Sequence, residues 1–242
     1  MNTTDRIENL LKSFFLREMA RQFKEVSQQA INENWDYHKY LEVLLEQEWE
    51  KRQENKKIRL LKQSSLPEGK NLGSLERKQW SAKINKQLNA LLEGHFVSDK
   101  ENLLAFGLPG RGKTHLLCAL GQEMIRRHGY SVRFIPVYRL VQELLEAKKE
   151  LALAKYLKKQ SRYDVIILDD IGYVKQSREE MEVFFTFLAD SYEERSLWIS
   201  SNHNFSQWGS IFQDEMMAMA AIDRLIHHCV IIEFDGKSQR LK

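Results

Sequence analysis

No apolar run in this 242-residue chain approaches the roughly 18 residues that a membrane-spanning helix needs, so a soluble, cytoplasmic protein with no membrane partner is expected. Met1 to Arg6 carries acid among its first charges and has no uninterrupted apolar stretch behind it, so no secretory signal is expected either. Cysteine is scarce. Cys118 and Cys229 each lie inside an apolar run, and neither a C-x-x-C pair nor a Cys/His metal spacing exists; two buried, reduced thiols are the expectation. A strong excess of one charge is also missing, with 37 Lys and Arg against 34 Asp and Glu, a net charge of +3 and a pI near 8.7. That balance permits a nucleic-acid partner without requiring one, so the distribution of charge carries more information than its sum. Internal repeats and low-complexity segments are absent as well.

What is present begins with Asn102-Leu103-Leu104-Ala105-Phe106, then Gly107-Leu108-Pro109-Gly110-Arg111-Gly112-Lys113-Thr114, then an apolar run from His115 to Arg127. The order reads as strand, glycine-rich loop, helix. Glycines at 107, 110 and 112 let successive backbone N–H groups turn inward around a phosphate, because no Cβ blocks the approach. Lys113 would reach the β and γ phosphates, and Thr114 would offer its hydroxyl to Mg²⁺. The helix starting there aims the positive end of its dipole at the anion. Residues 107 to 115, from Gly107 through Leu108, Pro109, Gly110, Arg111, Gly112, Lys113 and Thr114 to His115, are thus the candidate nucleotide-binding stretch.

Elsewhere, Ile7, Leu10, Leu11, Phe14, Phe15 and Met19 recur at helical spacing and predict one amphipathic helix, capped by Thr4 or Asp5. A second helical stretch carries Leu41, Leu44, Leu45 and Trp49 on one face and runs into a basic segment from Lys51 to Lys62. Lys51, Arg52, Lys56, Lys57 and Arg59 form either an ordinary solvated face or a patch for DNA phosphates, whose binding would be salt-dependent and sequence-blind. Ser, Pro and Gly then cluster between Gln63 and Gly73 as in a linker. The division expected is a helical domain over 1–66, for DNA or partner binding, and a nucleotide-binding domain over 67–242.

Within the second domain a helix with Ile84, Leu88, Leu91 and Leu92 leads into the strand at Asn102. Further strands are expected at Val132–Ile135, Val165–Leu168, Leu197–Ser200 and Val230–Phe234. Helices are expected over Leu140–Leu157, after Ser177 with Met181, Phe184, Phe185 and Leu188 on one side, and over Ala218–Leu225. Regular alternation of this kind implies an α/β fold with a five-stranded, mostly parallel sheet covered on both faces.

Ligands of an open parallel sheet sit at the carboxyl ends of its strands. The third strand ends in Leu168-Asp169-Asp170. Asp169 would hold Mg²⁺, directly or through water, and Asp170 would orient or deprotonate the attacking water. The fourth ends in Ser200-Ser201-Asn202, where Asn202 could hydrogen-bond the γ-phosphate or that water, or be an ordinary turn residue. Arg224, on an apolar helix, is either paired with Asp223 or another acid, or offered as an arginine finger to a neighbouring subunit.

Gly107 to Thr114, Ile166 to Gly172 with its paired aspartates, Ser200-Ser201-Asn202 followed by Phe205-Ser206-Gln207-Trp208, and Asp223-Arg224-Leu225-Ile226-His227-His228 together resemble the successive motifs of the IstB/DnaC-like branch of AAA+ ATPases. The nearest likeness is to the IstB-type helper ATPases of IS21-family transposons. It extends to Leu41–Lys62 with its Glu-Trp-Glu-Lys-Arg segment. The resemblance implies an ATPase that uses ATP and Mg²⁺, assembles as an ATP-dependent homo-oligomer on duplex DNA, distorts it, and directs a cognate, IstA-like transposase there. It makes Lys113 and Thr114 Walker A residues, Asp169 and Asp170 Walker B residues, Asn202 a first sensor, Arg224 the arginine finger and Arg240 a second nucleotide sensor. Gln239 stands where the family often has an aromatic. The chain stops soon after the fifth strand, so no C-terminal helical lid is expected. Asp170 replaces a glutamate usual in the wider superfamily, and its shorter reach implies slow hydrolysis without DNA or a partner. A replicative helicase loader of the DnaC type shares nearly all these motifs; such loaders are expected to carry a distinct, sometimes zinc-containing N-terminal domain, and residues 1–62 have no metal-ligand spacing. A small-molecule kinase would need an acceptor site and a mobile lid, for which no candidate is visible.

Overall fold

The computed structural model describes residues 2–77, 80–171, 177–203, 208 and 215–234, the side chains of 215–218, 220 and 221 excepted. The chain forms two compact units, Met1–Arg59 and Leu60–Lys242. That division falls ahead of the Leu66/Pro67 boundary read from composition. The reason is apolar: Leu60, Leu61 and Leu66 already pack against the core of the second unit. No described helix is long and apolar enough to cross a membrane.

The first unit contains helices α1 (Thr3–Ser13) and α2 (Arg17–Asn32) and most of α3 (Tyr37–Gln63). The single N-terminal helix expected from periodicity is in fact two. Asn2, not Thr4 or Asp5, is the residue preceding the first turn, and the chain breaks at Phe15, whose φ of 59° is left-handed. The apolar period continues across the break, which hides it from a sequence reading. Met19, Phe23, Val26 and Leu44 form a small core. Beside it the buried Glu48 carboxylate accepts the N–H groups of Glu18 (2.8 Å) and Met19 (3.1 Å) at the start of α2, and pairs with Arg52 at 2.7 Å. Burial alone would push this carboxyl up, but the guanidinium and the two N–H groups outweigh it and hold Glu48 below the usual carboxylate range.

The second unit is built on five strands, β1 (Asn102–Phe106), β2 (Val132–Pro136), β3 (Val165–Ile171), β4 (Ser196–Ser201) and β5 (Cys229–Glu233). Their order is β2-β3-β4-β1-β5, and every pairing is parallel. In a parallel strand successive side chains point to opposite faces, so both faces need cover. Leu103, Ala105, Val165, Ile167 and Trp198 point to one, where α4 (Ala82–Leu92) supplies Leu88 and Leu91 and α6 (Lys113–Glu123) supplies Leu116, Leu117 and Leu120. Leu104, Phe106, Ile166, Leu168, Leu197 and Ile199 point to the other. There α7 (Val137–Lys149), α9 (Arg178–Ser191) and α10 (Glu215–Ile226) supply Leu140, Leu144, Phe184, Phe187 and Leu225.

Short helix α5 (His95–Ser98) precedes β1, and α6 runs on into one π-helical turn at Met124–His128. The helix expected over Leu140–Leu157 is also divided, into α7 and α8 (Leu153–Gln160). Leu151, left-handed at φ 55°, makes the corner. Cys118 is buried in α6, and burial pushes its thiol up to about 12, which leaves it inert. Cys229, expected to be buried, is half-buried at the start of β5. Among the described residues no helix follows β5 as a lid.

Candidate nucleotide site

The carboxyl ends of β1, β3 and β4 and the amino end of α6 surround one cleft of about 450 Å³, lined by Lys70, Pro109, Gly110, Arg111, Gly112, Lys113, Thr114, His115, Asp170 and Asn202. Three loop glycines have positive φ, 145° at Gly107, 80° at Gly110 and 95° at Gly112. Gly107 is additionally confined, since a Cβ there would stand 2.7 Å from the Phe234 carbonyl oxygen. Arg111 donates through Nη1 to that same oxygen at 2.7 Å, which ties the loop to the end of β5. Leu108 and Pro109 are exposed at the tip.

Lys113 is buried, and its ammonium donates to the carbonyls of Gly107 (2.6 Å) and Leu108 (3.1 Å) and to Oδ1 of Asn202 (2.7 Å). Asn202 Nδ2 in turn donates to Asp170 Oδ1 at 3.2 Å. Thr114 Oγ1 donates to Asp169 Oδ1 at 2.7 Å. The three acidic and polar positions read from the strand ends, Asp169, Asp170 and Asn202, therefore meet the loop through hydrogen bonds.

One member was not assigned a role from the sequence. The hydroxyl of Ser200, fully buried in β4, donates to Asp169 Oδ1 at 2.6 Å and accepts the N–H of Asp170 at 2.9 Å. It links the two aspartates where β3 departs from regular pairing between Leu168 and Ile171 and where Asp170 takes a left-handed φ of 63°. A left-handed non-glycine residue is uncommon and is held by its surroundings; the Ser200 hydroxyl is one of those holds. The only sequence signal was a hydroxyl on an otherwise apolar strand. Trp208 is buried and donates through Nε1 to Ser201 Oγ at 3.2 Å, so it backs the end of β4.

His115 Nε2 and Ser74 Oγ are 2.9 Å apart. Burial lowers the His115 imidazole below its usual range and the nearby Lys70 charge adds to that, against a backbone contact with Asn71. Arg224 stands exposed in the last turn of α10, with no hydrogen bond or ion pair among the described residues; the pairing with Asp223 that the sequence allowed is not among them. Arg240 and Gln239, and Phe205, Ser206 and Gln207 of the motif after Asn202, lie outside the described residues.

The basic segment of α3 is not uniform. Lys51 pairs with Glu54 at 2.6 Å, and Arg52 is held by Glu48 and by the Phe15 carbonyl at 2.8 Å, so it serves the fold of the first unit. Lys56, Lys57 and Arg59 make no hydrogen bond or ion pair among the described residues; Lys57 is half-buried and the other two are exposed.

Comparison with known proteins agrees with this geometry. Residues 9–242 match the model of a family described as IstB-like ATP binding protein. The "Insertion sequence IS21 putative ATP-binding protein" of Pseudomonas aeruginosa is 36% identical over 98% of this chain and 89% of its own length. Among solved structures, that of DnaI is similar with a TM-score of 0.59 at 21% identity, over 71% of this chain and 96% of that one. The DnaC helicase loader is similar with a TM-score of 0.56 at 17% identity, over 73% and 99%. Those two likenesses speak to the fold, a P-loop AAA+ core, while the family match and the relative span nearly the whole chain. This protein belongs to the family of IstB-like ATP-binding proteins.

Proposed function

We propose that this protein is an ATP-hydrolysing helper of a transposase, acting in the cytoplasm, which assembles with itself on duplex DNA in the presence of ATP, distorts that DNA and directs the transposase to it. The observation that carries the reading is the closed constellation of Lys113, Thr114, Asp169, Asp170 and Asn202 around a glycine loop. It occurs in a chain similar almost end to end to an insertion-sequence ATP-binding protein.

In this reading Lys113 exchanges its loop carbonyls for the β and γ oxygens of ATP, and the backbone N–H groups of residues 107–115, the proline at 109 excepted, cradle the phosphates. Thr114 Oγ1 and Asp169 Oδ1 are hard oxygen donors already within 2.7 Å of each other, a donor set that suits Mg²⁺, and these two residues would hold it. The bound ion would neutralise charge on the phosphate oxygens. Asp170 orients a water toward the γ-phosphorus and takes its proton. The bond from that phosphorus to the bridging oxygen breaks, giving ADP and phosphate. Asn202, within reach of both Asp170 and Lys113, hydrogen-bonds the γ-phosphate or the water. Asp170 is one methylene shorter than glutamate, so hydrolysis by the protein alone is slow and rises with DNA or partner. Arg224 is offered to the nucleotide of a neighbouring subunit, and Arg240 is a second sensing arginine. Lys56, Lys57 and Arg59 contact DNA phosphates, with Lys51 and Arg52 at the edge of the patch.

The test is the mass of the full chain in solution with ATP and either duplex or single-stranded DNA, beside an ATP-free control. Large assemblies only with ATP and duplex are expected. Assembly on single strands alone, or none without a helicase, would favour a helicase loader instead. Reversing the charge of Lys56 and Lys57 should weaken duplex binding and flatten its dependence on salt; an unchanged slope would make the segment a solvated face.

A further inference from the structure

A second lysine reaches the cleft, and nothing in the glycine-loop pattern calls for it. Lys70 lines the cavity beside the loop, although it lies far upstream in the chain. Its position is fixed from α6. Gln122 Nε2 donates to the Lys70 carbonyl at 3.1 Å, and Ser74 Oγ meets His115 Nε2 at 2.9 Å. Asn71, next to it, closes a reciprocal cap with Ser74 on the 3-10 turn Leu72–Ser74. Leu66 lies close enough to α6 that a Cβ added at Gly121 would be 3.6 Å from its Cδ2. The arm from Leu66 to Ser74 is thus fastened along α6 at several places. Lys70 is half-buried on it, and its ammonium makes no hydrogen bond or ion pair among the described residues. Lys113, by contrast, is tied to two carbonyls and to Asn202.

We infer that Lys70 is a second cation for the phosphate chain of the nucleotide, bound beside Lys113 to phosphates that ATP and ADP share. The inference rests on the reading of the cleft as a nucleotide site and adds a residue to it. An ammonium carried on an arm held along α6 gains most from an anion and little from a neutral ring, which favours the phosphates over the base. The arm is fastened to the first turn of α6 at His115, whereas Asp170 and Asn202, assigned to the γ-phosphate, hang from β3 and β4. Its attachment on the α6 side of the cleft, away from the strand ends, is what supports contact with phosphates common to both nucleotides.

The experiment titrates fluorescent ATP and ADP analogues into the full chain, comparing wild type with Lys70→Ala, Lys70→Arg and Lys113→Ala at several salt concentrations. Lys70→Ala should weaken both nucleotides about tenfold and make binding less salt-sensitive, the scale of one charge-assisted hydrogen bond. Lys70→Arg should retain most of the affinity, and the nucleotide-free melting temperature should stay at the wild-type value. Unchanged affinity in Lys70→Ala overturns the inference, as does a loss confined to ATP. A fallen melting temperature with equal loss in Lys70→Arg overturns it too, in favour of a structural lysine. If wild type binds neither analogue, or Lys113→Ala binds both normally, the nucleotide-site reading itself fails, which is a distinct result.

Discussion

At the amino end of the sheet, polar side chains are taken up largely by backbone. Asn102 accepts the Leu197 N–H at 2.9 Å and donates to the Leu225 carbonyl at 3.2 Å, joining β1 to β4 and to the end of α10. Asp164 accepts from the N–H and the hydroxyl of Ser131, each at 2.7 Å, and Ser196 donates to the Glu101 carbonyl. At the carboxyl end Lys113, Arg111 and Ser201 also bond backbone, and to these are added bonds between side chains of separate elements: Thr114 and Ser200 to Asp169, Asn202 to Asp170, Lys113 to Asn202. Most buried polar groups find partners in this way; Ser191 Oγ and the Nε and Nη1 of Arg195, just ahead of β4, make no hydrogen bond among the described residues. The backbone bonds of Asn102 join separate elements, whereas bonds between side chains, like those of the long Lys113 stem to its loop carbonyls, can be exchanged for bonds to a ligand without unfolding anything. Exchangeable pairs of this kind gather at the carboxyl end of the sheet.

That contrast can be broken by substitution. The largest effect is expected from Lys113→Ala, which should cost about 3 kcal/mol of nucleotide binding while leaving the melting temperature without nucleotide near wild type; fluorescence titration and thermal melting together check it, and normal binding would remove Lys113 from the site. Gly107→Ala should cost about 2–3 kcal/mol of stability, because a Cβ would meet the Phe234 carbonyl at 2.7 Å with φ at 145°. Chemical denaturation measures it, and a neutral result would mean that the end of β5 yields easily. Asn102→Ala should cost about 2 kcal/mol by stranding a buried N–H and a buried carbonyl, with nucleotide affinity unchanged. A loss of affinity there would erase the distinction between the two ends. Ser200→Ala should be the smallest, about 1 kcal/mol in the hydrolytic barrier, seen as a several-fold lower turnover at saturating ATP with little change in ATP affinity. Should affinity fall and turnover hold, Ser200 would be a packing residue.

Much of this organisation was legible beforehand, and its gaps have physical causes. The strands announced themselves as short apolar runs, and the glycine loop by its G-x-x-x-x-G-K-T spacing. Asp169, Asp170 and Asn202 followed from the rule that ligands gather at the carboxyl ends of parallel strands. The helix breaks at Phe15 and Leu151 did not, because large apolar residues at left-handed corners carry none of the glycine or proline that usually marks a turn. Glu48 read as one more charge on a long helix, since nothing local shows that its carboxylate caps the start of α2 from a distance. Lys70 was invisible for the same reason.

The sequence by itself determined the elements and the candidate site: which runs become strands, which loop carries the glycines, and which acids and amide stand at the strand ends. These follow from local spacing, because periodicity, glycine and side-chain type act over a few residues. Only the tertiary structure decided the strand order, with β4 lying between β1 and β3. That order brings Ser200 against both aspartates and Asn202 against Lys113. It also fastened the arm of Lys70 along α6. Such meetings join residues far apart in the chain, and they are set by how covered apolar faces stack, which no local pattern encodes.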